Sequence, residues 1–239
     1  MLAAMTTQAT IPPFTLGGFR TGAAAAMVLA PGVVLYGIAF GVMAAARGLT
    51  GLEAVLFSAW LNAGGAQMAT LAVWDDPLPW LAVGLTTVAM NSRYLLLGAA
   101  LRPWFGRLPP GQAYPSLFVL GDGNWALALR EHDAGRRDAA FLAGSGTMLW
   151  LAWVASTALG HAGGQILGDP QRFGIDFMLP AFFATMALAF FRRAGGVAPL
   201  VVGIAVAVTV DRLFPGPWYI LSGALAGSLV GALRRADPA

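Results

Sequence analysis

The chain has 239 residues, 58% hydrophobic and only 10% charged, with mean hydropathy +0.70. That composition excludes a water-soluble domain, which carries far more charge at this length. It also disfavours a membrane β-barrel, whose strands alternate polar and apolar positions, because 23–28 and 149–153 are apolar at successive positions. The expected class is all-α: a polytopic helical membrane protein.

With no cysteine, disulfides and thiolate metal centres are ruled out. No metal or cofactor is expected. His132 and His161 fall in what read as polar connections and are expected in solvent. The net charge of +3 comes from arginine without any lysine. These arginines are scattered at segment ends, which reads as a topology signal and not as a nucleic-acid footprint.

In chain order, residues 1–20 read as a short retained tail, because they hold no positive n-region and no clear cleavage site. A single transmembrane domain is expected over 21–233, with 234–239 as a C-terminal tail. Eight apolar segments can be drawn within it: 21–46, 53–74, 78–101, 114–129, 139–159, 175–191, 197–210 and 217–233. A straight spanning helix needs about 20 residues, so the fourth and seventh are short. Pro31-Gly32 is expected to break the first. Gly64-Gly65 interrupts the second, Gly121-Asp122-Gly123-Asn124 the fourth and Pro180 the sixth. Backbone freed in a bilayer must be buried in protein or line a cavity. Four such breaks together favour discontinuous helices around a central cavity, as in many secondary transporters.

Arginine placement bears on the fourth segment. If it dips in and returns, Arg47, Arg102, Arg107, Arg130, Arg136, Arg137, Arg192, Arg193, Arg234 and Arg235 share one side. Arg20, Arg172 and Arg212 lie on the other, ten against three. A full crossing gives eight against five at best. The positive-inside rule therefore favours seven crossings plus one re-entrant or broken helix, with the N-terminus outside and the C-terminus in the cytoplasm. Eight crossings is the alternative.

Arg93 carries the main functional signal. An arginine at the centre of a spanning helix costs about 2.5–3.5 kcal/mol on the insertion scale, so it must face protein or a wet cavity. The expected substrate-binding set is Asn62, Gly64, Gly65, Gln67, Asn91, Arg93, Asp122 and Asp176, with Asn124 close by. Asp122 and Asp176 are the candidate proton-coupling acids, because desolvation favours the neutral form of a carboxylate. Each residue also has a structural reading. Arg93 pairing with Asp122 as a helix staple weighs equally with a site. Asp176 reads slightly better as a helix cap. Asn62 and Gln67 are more commonly interhelical hydrogen-bonding groups. Gly223, Gly227 and Gly231, like Gly37 and Gly41, are spaced for close helix approach, inside the chain or with a partner.

Four stretches occur in register: 37–41 (GIAFG), 63–67 (AGGAQ), 91–94 (NSRY), and 174–177 (GIDF) before 179–183 (LPAFF). Together they resemble the AzlC family, the large subunit of branched-chain amino acid exporters. The resemblance implies proton-driven export of valine, leucine, isoleucine and sometimes methionine from the bacterial cytoplasmic membrane, with a small AzlD-type membrane subunit as partner. Where the family often has Asp-Glu in the fourth segment, this chain has Gly121-Asp122-Gly123, so the Glu is missing. Rival readings are a non-transporting assembly subunit and a carrier of another small amphipathic solute. An enzyme is not expected, since no nucleophile–base pair or metal cluster falls within the spans. A channel is disfavoured by the lack of a filter-like motif.

Overall fold

A computed structural model describes residues 11–75, 77–167, 174, 177, 181, 184, 188, 197–214 and 218–235, and among them every regular element is helical. The helices are α1 (Leu16–Ala26), α2 (Ala30–Ala46), α3 (Gly51–Leu61), α4 (Gly64–Ala72), α5 (Trp80–Asn91), α6 (Arg93–Phe105), α7 (Pro110–Phe118), α8 (Asp122–Asp133), α9 (Ala140–Leu167), α10 (Val197–Leu213) and α11 (Trp218–Arg235). Most of the sixth apolar segment, Asp176 and Pro180 included, lies outside the described residues.

Breaks dominate the architecture. Among the described residues, only Ala140–Gly164 within α9 is long and apolar enough to cross a membrane by itself. The pair α1 and α2 qualifies together but is bent by 69°. That bend is not at Pro31-Gly32 as expected. The chain turns at 27–29, and Pro31 sits in the first turn of α2. The reason is that a proline near a helix start loses no needed N–H and has its φ already set, so it opens a helix instead of breaking one.

The chain divides into two compact units, one from 1–35 with 93–155 and the other from 36–92 with 156–239. In the first, Leu101, Trp104, Phe105, Leu108, Leu120, Phe141 and Leu142 form a buried apolar cluster. Asp138 ties α1 to the start of α9: its carboxylate accepts from the Thr15 N–H (3.2 Å), the Thr15 hydroxyl and the Ala140 N–H (3.0 Å). Gly22 lies against the Phe141 carbonyl and Gly144 against the Phe19 carbonyl, so the two backbones touch where no side chain fits. After α8, Arg136 donates to Glu131 at 2.6 Å. That hydrogen bond holds the Glu131 carboxyl below its ordinary range.

In the second unit, α2 meets the later part of α9 in the same manner. Gly41 faces the Thr157 carbonyl and Gly160 faces the Ile38 carbonyl. The Ser58 and Thr157 hydroxyls pair at 2.8 Å, and Phe40 meets Phe57 edge-on. His161 corrects the sequence expectation. It lies within α9, is 5% exposed, and its Nε2 donates to the Leu49 carbonyl at 2.7 Å. The apolar segment expected over 139–159 ends short of Gly160-His161, whereas α9 runs on to Leu167. Gly160 is a contact point between helices. Gly223 and Gly227 pack on Gly203 and Pro199 of α10, so this glycine stripe serves an internal hairpin.

Candidate functional site

In the first unit, α6 begins at Arg93 and α8 begins at Asp122. Arg93 Nη1 lies 3.0 Å from Asp122 Oδ2, with the side chains 26% and 42% exposed. Two helix starts thus meet through opposite charges. Asp122 is favourably placed for a carboxylate, in a first turn where free N–H groups and the helix dipole attract negative charge. Arg93 also stacks toward the Tyr94 ring, 5.3 Å from its centroid, a distance that gives a cation–π attraction. Arg93 Nε is buried and has no hydrogen-bond partner among the described residues. Its donor capacity is therefore not exhausted by Asp122.

The gap between α7 and α8 is held by Asn124, which is 1% exposed. Its Oδ1 accepts from the Gly121 N–H at 2.7 Å, and its Nδ2 donates to the carbonyls of Val119 (3.1 Å) and Leu142 (3.4 Å). One carboxamide thus serves the last carbonyl before the break and the first N–H after it. Such groups carry a desolvation cost of roughly 1–3 kcal/mol when left unpaired. Gly146 comes against Val119 and Asn124 with no space for a side chain. Trp125 Nε1 donates to the Leu97 carbonyl at 3.3 Å, joining α8 to α6. Between α5 and α6 the chain stays close to helical: Ser92 keeps right-handed helical angles, and its N–H still reaches Val88 O.

In the second unit, α3 ends at Asn62 in the left-handed region (φ 35°, ψ 37°), the one non-glycine with positive φ among the described residues. Asparagine tolerates that conformation better than most residues. Gly64 and Gly65 open α4, so the break falls where the sequence placed it. Gln67 is fully buried and its Nε2 donates back across the break to the Phe57 carbonyl at 2.8 Å. The Thr70 and Thr87 hydroxyls pair at 3.2 Å between α4 and α5. Asn91 Oδ1 and Thr86 Oγ1 are buried without a hydrogen-bond partner among the described residues.

Of the expected site residues, Arg93 and Asp122 are brought together. Asn62, Gly64, Gly65 and Gln67 share the α3–α4 break, and Asn91 ends α5. Asp176 lies outside the described residues. Sequence reasoning missed Thr86, the Thr70–Thr87 pair and the full role of Asn124. For Asn124 a signal existed, since it follows Gly121 by the three-residue spacing at which a polar side chain reaches back to cap its helix.

Broken apolar helices, backbone contacts at glycine and a charge pair inside an apolar stretch define a helical membrane protein. Residues 28–167 match the family described as AzlC protein, and the chain belongs to that family. It is 31% identical over 204 residues to the inner membrane protein YgaZ of Escherichia coli (strain K12), with 82% of each chain covered. It is 27% identical over 214 residues to an uncharacterized membrane protein of Archaeoglobus fulgidus, covering 89% of this chain and 93% of that one. No solved structure matches.

Proposed function

We propose that this chain is a secondary transporter that exports branched-chain and other small apolar amino acids across the bacterial cytoplasmic membrane. Protons drive it, and it works as the large subunit of a two-component exporter. The observation that carries this reading is the Arg93–Asp122 pair, formed at the starts of two helices with Arg93 Nε unpartnered among the described residues.

An amino acid is itself a charge pair. Its carboxylate takes the guanidinium and its ammonium takes the carboxylate of Asp122, so the empty and loaded sites are both neutralised. That exchange avoids leaving a lone charge in low dielectric, which is the costly state. One proton crossing a potential of 100 mV supplies about 2.3 kcal/mol, or a concentration ratio of roughly 50.

The arginine balance of ten against three and the α7–α8 break support seven crossings plus one re-entrant helix. Cysteines introduced at Arg107 and Arg136 should then label from the same side. Labelling from opposite sides establishes eight crossings instead.

The functional test is uptake of labelled leucine into inverted vesicles, with and without the small subunit. At matched expression, Arg93→Ala and Asp122→Asn should each cut proton-driven uptake at least about tenfold, equivalent to about 1.4 kcal/mol. The double variant Arg93→Met/Asp122→Leu removes both charges together and should remain folded yet inactive. Full transport by that variant reduces the pair to a helix staple.

A further inference from the structure

A second feature of the first unit lies outside this site. The end of α6 and the start of α7 enclose a groove of about 280 Å³ lined by Gly98, Arg102, Phe105, Leu108, Tyr114 and Leu117 among others. Its floor is apolar, and a side chain added at Gly98 would meet nothing within 4 Å. Arg102 on its lining is exposed and has no partner among the described residues. The chain carries no carboxylate from 94 to 121, while Arg102 and Arg107 both fall there. The groove is thus apolar inside and positive at its edge, with no acid of its own segment to neutralise it.

Depth is set by the helix. Arg102 follows Arg93 by nine residues, roughly 14 Å along the axis, which is about half of a hydrocarbon core some 30 Å thick. If Arg93 lies near the bilayer middle, Arg102 reaches the phosphates. Tyr114, 72% exposed on the groove wall, is the residue type that settles at that level.

We propose that this groove binds one anionic phospholipid, its phosphate on Arg102 and the first part of an acyl chain over Gly98 and Phe105. Basic recesses between helices are suited to such headgroups, and charge complementarity selects an anionic lipid over a zwitterionic one. Arg107 does not line the groove and contributes only general attraction.

The test uses the full chain, delipidated in detergent and titrated with phosphatidylglycerol or phosphatidylcholine, with bound lipid counted by native mass spectrometry. One phosphatidylglycerol should be retained at least about tenfold more strongly than phosphatidylcholine. Arg102→Gln should abolish that preference, while Arg107→Gln should leave most of it. Gly98→Leu, which has space for its side chain, should fill the floor and lower retention of both lipids. Excess glycerol phosphate should not displace the lipid. Displacement would make the groove a site for a soluble phosphate and overturn the proposal. So would equal losses from Arg102→Gln and Arg107→Gln, or unchanged retention in Gly98→Leu.

Discussion

Replacing Asn124 with alanine should destabilise the protein far more than its single carboxamide implies. The side chain is 1% exposed and bridges the α7–α8 break. Truncation leaves the Gly121 N–H and the Val119 carbonyl without that partner, at roughly 1–3 kcal/mol each, or about 2–6 kcal/mol together. The third contact, to Leu142 O at 3.4 Å, adds little, because that carbonyl also accepts from the Ser145 hydroxyl at 3.1 Å. For a chain of this size 1 kcal/mol corresponds to about 2–4 °C in Tm, so the midpoint should fall by roughly 5–20 °C. The assay is loss of the monodisperse peak in detergent against temperature. Ser145→Ala is the control: the hydroxyl is equally buried, but it serves carbonyls of its own helix, Phe141 O and Leu142 O. That variant should shift the midpoint by no more than about 4 °C, following a net value near 1 kcal/mol for an ordinary hydrogen bond. If Asn124→Ala melts with the wild type, the break is held by something other than this side chain.

Two glycines of α9 should respond oppositely to the same change. A methyl at Gly160 meets the backbone of Ile38, with its Cα at 2.7 Å, so Gly160→Ala should cost about 1–3 kcal/mol. Gly163, three residues on, has open space, and Gly163→Ala should gain about 0.5–1 kcal/mol. The same detergent melting assay reads both, and equal signs would refute the close approach of α2 and α9. His161→Leu should lower stability by roughly 1–3 kcal/mol through the orphaned Leu49 carbonyl. A variant as stable as the parent would return His161 to the solvent position the sequence implied.

The breaks were legible because glycine and polar residues inside an apolar run leave few other readings. Gly64-Gly65 and Gly121-Asp122 mark the starts of α4 and α8 to within a residue. Pro31 misled because proline signals a helix start and a helix break alike, and only the backbone tells them apart. The pairing of Arg93 with Asp122 was foreseeable, since an intramembrane charge needs a partner and few acids were at hand. The Ser58–Thr157 contact was not: 99 residues separate the two hydroxyls, and small polar side chains leave no trace in hydropathy. His161 was lost for a related reason. His161 reads as part of a polar connection, yet the step from Gly160 to His161 is where the helix admits another backbone and turns a ring toward a loop carbonyl.

The length of α9 has a consequence for the membrane around it. Its apolar stretch, Ala140–Gly164, has 25 residues and extends about 37 Å, against roughly 30 Å of hydrocarbon. The mismatch of about 7 Å is absorbed by leaning, up to roughly 37° if leaning alone suffices, or by local thickening of the lipid. Longer acyl chains let this helix stand more upright and shorter ones force it down. A protein built on such an oversized strut is thereby tuned to bilayer thickness, and acyl-chain length becomes a mechanical setting.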